Sequence, residues 1–393
     1  MSWKTVRLGE IFEIARGGSP RPIESYLTND ENGVNWIMIG DTKDSGKYIE
    51  KTAKKIKREG ISNSRMVNEG DFLLTNSMSF GRPYILKTSG CIHDGWLVLS
   101  PKDENIHRDY FYYYLGSDEI KQRLTSKAAG AVVKNLNKEI VSDLEIELPP
   151  LATQKRIAEI LDAADALRRK DQELLKKYDE LAQAIFIDMF GDPVKNEKGW
   201  DVKKLKDFGS ISTGNTPSRA DKTNFDSNYI EWIKTDNIGE NKLFVTQSSE
   251  YLSEVGSKKG RITPKGSLLV ACIAGSVESI GRAALTDRQV AFNQQINSIQ
   301  PNSNVNAKFL YYLFKFSRKH IQNHASNGMK RMLSKGEFEK IKMILPELNV
   351  QNNFNKVIQQ FEFQTDQLKD SNFKSMDLFN NLIQKAFKGE LVS

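Results

Sequence analysis

The sequence is poor in the residues that build covalent or metal-centred chemistry. Its 393 residues contain two cysteines, Cys91 and Cys272, and four histidines, His93, His107, His320 and His324. Two thiols cannot frame a disulfide scaffold or a cysteine zinc cage, so a reducing compartment is the default. No stretch approaches the ~18 uninterrupted apolar residues of a membrane span. The segment Met1 to Glu10 has no apolar core of the secretory kind. The expected address is the cytoplasm, with no membrane partner. Phosphate-loop chemistry is missing too, because Gly40-Asp-Thr-Lys-Asp-Ser-Gly46-Lys47 has one residue too many and Tyr48 stands where a magnesium-binding hydroxyl belongs. His320 and His324 have helical zinc-pair spacing, but only Ile321, Gln322 and Asn323 lie between them, with no carboxylate base. Neither a nucleophile elbow nor a reactive-cysteine motif is present. Pro149-Pro150 follows Leu148, so the Asn/Asp-Pro-Pro-aromatic loop of adenine methyltransferases is absent. The expectation is no catalytic residue, no metal and no cofactor bound by this chain.

The length suits two or three domains, and 39% hydrophobic with 27% charged residues describes an ordinary globular chain. Lysine and arginine outnumber acidic residues by 57 to 50. Nearly all of that surplus falls in 191–347, with 24 basic residues against 16 acidic, while 1–150 is balanced at 21 each. Balance does not exclude a nucleic-acid surface, since clustering on one face counts for more than the sum. Residues 43–65 hold eight basic residues against three acidic ones.

The chain repeats itself at an offset of about 197 residues. Ile14-Ala-Arg-Gly17-Gly-Ser-Pro20 returns as Ile211-Ser-Thr-Gly214-Asn-Thr-Pro217. Trp36-Ile37 returns as Trp232-Ile233, Gly81-Arg82 as Gly281-Arg282, Tyr113-Tyr114-Leu115 as Tyr311-Tyr312-Leu313, and Pro149 with Gln154 as Pro346 with Gln351. The offset wanders by a few residues and recovers, as loop insertions in two copies of one fold require. In each copy, short β-type runs among Gly, Pro, Asn and Ser precede a helical segment. A long proline-free stretch follows, from Gln154 to Phe190 in the first copy. The expected class is α+β: two globular halves separated by two long helices. Ile157, Ile160, Ala164, Leu167, Leu174, Tyr178, Leu181 and Ile185 alternate by three and four, with Asp171 as the polar intruder. Phe354, Val357, Phe361, Leu368, Leu378 and Leu382 form the equivalent seam, weakened by Gln364, Ser371 and Ser375. Such faces cannot stay wet, so the helices are expected to pair as an antiparallel coiled coil.

The remaining candidates are polar, loop-borne and present twice. They are Ser19 and Arg21 against Thr216 and Arg219, then Thr42 and Lys43 against Lys234, Thr235 and Asn237. A later loop offers Ser77, Ser79 and Arg82 against Ser276 and Arg282. The second copy adds Asn293, Gln294 and Gln295, amides able to bond an adenine edge. Lys134 and the pair Lys330 and Arg331 suit phosphate contacts. Together they point to reading a long polymer at two places.

This pattern resembles the specificity subunit of type I restriction–modification systems along essentially the whole chain. The resemblance is carried by Leu148-Pro149-Pro150-Leu151, Gln154, Ile157 and Ile160-Leu161, by Gly130 and Lys134-Asn135-Leu136, by Ile146-Glu147-Leu148, by the G-[GN]-[ST]-P loop opening each copy, and by Met189-Phe190-Gly191. The second copy departs from it at Pro346-Glu347 and Asn352-Asn353-Phe354. The resemblance implies target-recognition domains at 1–150 and 191–347, with spacer helices at 151–190 and 348–393. Each domain would read one half of a bipartite double-stranded DNA target. The helices would set the unread spacer and dock two methyltransferase subunits, which hold S-adenosylmethionine, while restriction subunits add ATP and Mg-dependent cleavage. Three alternatives stay open: a divergent nuclease or methyltransferase, a coiled-coil adaptor binding only protein, and the specificity subunit of a system with one fused methyltransferase/nuclease partner.

Overall fold

The computed structural model describes residues 3–43, 46–76, 81–129, 136–273, 276–326 and 332–392. The chain divides into two compact units, one of residues 1–172 with 371–393 and the other of residues 173–370. Among the described residues no helix is long and apolar enough to cross a membrane.

The first unit opens on a two-stranded ribbon, Lys4–Arg7 against Glu145–Leu148. Above it lie two five-stranded sheets. One has Phe12–Arg16, Trp96–Pro101, Phe72–Thr75, Pro83–Leu86 and Tyr48–Ile49 in that order. The other runs Leu27–Thr28, Lys54–Ile56, Val34–Ile37, Gly90–Ile92 and Arg65–Val67. The second unit repeats the plan with a ribbon, Val202–Lys204 against Lys342–Ile344, and two four-stranded sheets. The duplication extends to register. A parallel pair sits inside an otherwise antiparallel sheet in both units, Trp36 opposite Cys91 and Trp232 opposite Ala291. Ile14 faces Leu99 as Ile211 faces Ile299. Alternating hydrophobic residues such as Phe72, Leu74, Leu97 and Leu99 turn one face of the sheet onto the helix Arg108–Gly116, and Leu268, Val270 and Ile299 do the same beneath Ala307–Phe316.

The two long helices span Leu151–Phe190 and Leu348–Phe387. Each contributes to both units, and within each unit they meet in antiparallel sense. In the first unit Asp171 accepts a hydrogen bond from Ser371 at 3.2 Å, and Arg168 lies over the Phe379 ring at 5.3 Å. In the second, Tyr178 donates to Gln364 at 3.1 Å and stands edge-on to Phe361, while Phe186 and Phe190 both pack on Phe354. Polar residues that looked like flaws in the seam therefore find partners across it: the buried Asp171 meets Ser371, and Gln364 accepts from the seam residue Tyr178.

The seam itself is turned by about one residue from the aliphatic pattern. Ile157, Ala164, Phe354 and the partly buried Leu174, Ile185, Phe361, Leu368 and Leu382 face inward. Leu167, Leu181, Val357 and Leu378 do not, with 47, 43, 40 and 47% of their surface exposed, and Ile160 is only half-buried. The buried stripe of the central helix runs Gln154, Ile157, Ala158, Leu161, Ala164, Asp165, Asp171, Ala182, Phe186 and Phe190. Its period is helical, but several members are polar or small, so a reading confined to large aliphatics captures only part of it and adds the exposed Leu167 and Leu181.

A buried glutamine locks each long helix to its own domain. Gln154 accepts from the His107 backbone N–H at 2.9 Å and donates to the carbonyls of Asn105 and Pro149 at 3.1 and 2.9 Å. Gln351 repeats the arrangement on Asn306, Asn304 and Pro346, at 2.8, 3.0 and 2.7 Å. The carbonyl used belongs to the first proline of the motif, so replacing Pro150 by Glu347 in the second copy costs the clamp nothing. A charged lock lies alongside. The buried Lys47 ammonium sits 2.6 Å from both Asp109 and Asp162, and Tyr113 donates to Asp162 at 2.6 Å. In the second unit Lys308 and Tyr312 converge on Glu362. Each helix end also closes onto the start of a domain. Trp200 donates to the Phe190 carbonyl at 2.8 Å, and Trp3, Phe387, Leu391 and Val392 pack on the core of the first unit.

Candidate nucleic-acid interface

The loop that opens each copy is pressed onto the turn that follows the strand ending at Ile92 or Phe292. Gly17 and Gly18 donate to the carbonyls of Trp96 and Ile92, and Gly214 and Asn215 donate to those of Ile296 and Phe292. The approach leaves no room for a side chain. A Cβ at Gly17 would stand 2.0 Å from the His93 carbonyl oxygen, and one at Gly214 would stand 2.1 Å from that of Asn293. The recurring glycine is therefore set by contact distance. Two residues further on, a hydroxyl meets the middle residue of the turn: Ser19 donates to Asp94 at 2.9 Å, and Thr216 donates to the side-chain carbonyl of Gln294.

Around this shared frame the two copies differ in charge. Arg21 is exposed and 3.7 Å from Asp94. The hydrogen bond from Ser19 holds the Asp94 carboxyl below its ordinary range, with burial opposing, so it is ionised at neutral pH. Arg219 is fixed more firmly. It bonds Glu250 at 2.7 Å and lies 5.2 and 5.3 Å over the rings of Phe225 and Trp232. Lys234 reaches the same Glu250, and it and Arg219 hold that carboxyl below the usual glutamate range. Beneath Ser19 and Asp94 an open groove of about 860 Å³ is walled by Pro20, Ile23, Trp36, Met38 and Lys54. Lys54 belongs to the basic run 43–65.

Other candidates have a different fate. Thr42 is buried and spends its hydroxyl on the Ile39 carbonyl, so it is a turn residue. Asn237 is buried, accepts from the Lys234 N–H and donates to Thr246 and Gln247. Asn293 is buried, and its amide closes the turn on Gln295. In all three, nearby backbone or side chains take up polar atoms that were expected to face DNA, which gives each residue a turn-forming role in the fold. Gln295 is half-buried in the same turn, while Gln294, between them, is exposed. Lys43 and Ser276 are exposed, the latter 3.2 Å from Ser279, and the Thr235 carbonyl accepts from Arg282 at 3.4 Å. Arg82 is exposed over the Tyr84 ring at 5.2 Å, whereas Arg282 is half-buried. Ser77, Ser79, Lys134, Lys330 and Arg331 lie outside the described residues.

Sequence reasoning missed Asp94 and Glu250. The pairing of Asp94 with Ser19 spans 75 residues and has no local signature, although the match between His93-Asp94-Gly95 and Asn293-Gln294-Gln295 at the repeat offset was available. Among the described residues there is no cluster of three or more His, Cys, Asp or Glu able to hold a metal ion.

Comparison with known proteins gives the geometry a family. The type I restriction modification DNA specificity domain matches residues 1–177 and again 197–372. The chain is 22% identical to the type I restriction enzyme HindI specificity subunit of Haemophilus influenzae, over 99% of both chains. It is 24% identical to the MjaIX specificity subunit of Methanocaldococcus jannaschii, over 91% of this chain and 86% of that one. The crystal structure of the type I restriction–modification S subunit from M. genitalium shares the fold with a TM-score of 0.57 at 14% identity, covering 98% of this chain and 96% of that one. A chain from a structural study of type I restriction–modification assembly and conformational transition gives 0.58 at 18%, covering 99% and 98%. Two matched domains in tandem, and a fold shared along the full length, place this protein in the family of type I restriction–modification DNA specificity subunits.

Proposed function

We propose that this chain is the non-catalytic reader of a type I restriction–modification complex in the cytoplasm. Each globular domain selects one half of a bipartite double-stranded DNA target. The paired helices set the unread spacer and dock two methyltransferase subunits, with restriction subunits joining the same assembly. S-adenosylmethionine, ATP and Mg belong to those partners. The observation that carries the reading is the exact recurrence, in two domains, of one loop-on-turn frame that presents different polar side chains. A protein-binding adaptor has no need to build one frame twice and vary only its exposed chemistry. The exposed apolar residues Leu167, Leu181, Phe363 and Phe373 on the long helices suit the docking of partner subunits.

Filter binding of the complex with its methyltransferase subunits tests this. Affinity should fall linearly on a log–log plot as salt rises, with a slope of about −0.9 per neutralised phosphate, and specific duplex should outcompete random duplex. Equal affinity for all duplexes would refute it.

A further inference from the structure

Of the polar groups in the repeated frame, most are occupied within the fold. Asn237 and Asn293 are spent on their own turns, and Arg219 and Lys234 converge on Glu250. One position in each copy reaches solvent, Gln294 exposed and Asp94 half-buried with 45% of its side-chain surface open, and each is anchored by a hydroxyl and differs in chemistry from its counterpart. We propose that Asp94 and Gln294 are the paired base-selecting side chains, with the Asp94 carboxylate taking a cytosine amino group and the Gln294 amide taking an adenine edge. This rests on the DNA-reading function proposed above.

The chemistry follows from donor and acceptor counts. An ionised carboxylate only accepts, and it has lone pairs left after taking the Ser19 hydrogen bond. On a DNA-facing loop a carboxylate is repelled by phosphate, and among major-groove base edges it is matched by the amino group of cytosine. Adenine also carries an amino group, but its neighbouring N7 is an acceptor that faces the second carboxylate oxygen unfavourably. Gln294 differs. Its carbonyl accepts from Thr216 and keeps a second lone pair for an adenine amino hydrogen, while its NH2 can donate to N7. The hydroxyl anchor matters in both copies, because it fixes an otherwise rotatable side chain before DNA arrives and so lowers the entropy lost on binding. Arg21 beside Asp94 and Lys54 across the groove supply the positive charge that lets a carboxylate approach a polyanion.

The two positions make opposite demands, so each domain can be converted towards the other. The assay retains duplexes from a randomised pool on the purified complex of this chain with its methyltransferase subunits, and sequences them. Asp94→Asn should shift one position of one half-site from cytosine towards adenine, or relax it by roughly tenfold to a hundredfold in enrichment, leaving the other half-site unchanged. Gln294→Glu should do the converse in the other half-site. Asparagine can still accept the Ser19 hydrogen bond and glutamate that of Thr216, and a thermal melt of each variant verifies folding. Unchanged half-sites in a folded variant overturn the proposal, as does a uniform loss of affinity across all sequences. A wild-type complex that enriches no sequence would refute the DNA-reading function itself, a separate result.

Discussion

Replacing Gln154 by leucine removes three hydrogen bonds from a side chain that is only 1% exposed. Leucine fills much of the volume but leaves the His107 N–H and the carbonyls of Asn105 and Pro149 without their partner. A typical hydrogen bond contributes ~1 kcal/mol net, and orphaning a buried backbone group costs about 1–3 kcal/mol. Three bonds and partial access of water to the loop give a loss on the order of 3–5 kcal/mol. The loss should be local, because the clamp ties the start of one long helix to the N-terminus of helix Arg108–Gly116 within the first unit. Hydrogen–deuterium exchange reads it directly. Amides in 105–116 and 151–161 should exchange at least a hundredfold faster, since 1.4 kcal/mol corresponds to a factor of ten. Residues 304–316 and 348–358 should keep their protection, and Gln351→Leu should reverse the pattern. A change under threefold in 105–116 would refute the claim that this side chain locks the helix to the domain.

Seam phase, acid sensitivity and loop contact give further tests. Leu161→Glu places a charge at a fully buried position and should cost several kcal/mol in a thermal melt, whereas Leu181→Glu should leave the melt within ~1 kcal/mol and weaken capture of the methyltransferase subunits; equal destabilisation would contradict the observed phase. Burial lowers the His93 pKa below its ordinary value, with the nearby Asp94 opposing. The unfolded chain thus takes up a proton near pH 6.5 that the folded one refuses, so stability is full above that pH and declines as pH falls below it. His93→Asn, which copies the second domain, should narrow the melting-temperature drop between pH 7.5 and 5.5, and an unaltered drop would count against this assignment. Gly17→Ala forces a methyl group against the His93 carbonyl and should lower stability while weakening DNA binding; a neutral outcome would remove contact distance as the reason for that glycine.

Much of this fold is visible in the chain because its repeat is marked by residues with strict geometric roles. Glycines that tolerate no Cβ, prolines ahead of the helices and tryptophans in matching strands keep their places in both copies. The helices were legible for the same reason, since nothing interrupts them. The phase of their seam was legible only in part, because Gln154, Asp165 and Asp171 are buried with partners and a hydrophobic pattern discounts them. The candidate site was legible as a set of loops but not as individual roles. Whether an amide such as Asn293 or Gln294 faces solvent depends on which backbone atoms surround it. Adjacent residues in one turn divide between structure and surface, and no spacing rule separates them.

The central claim is that one chain samples DNA twice with two related domains. The sharpest test is to map methylated bases across the genome of cells that carry this chain with the proposed methyltransferase subunits. One two-part motif with an invariant gap should emerge, and it should vanish when this chain is deleted. A single uninterrupted motif, or methylation indifferent to the chain, would contradict it.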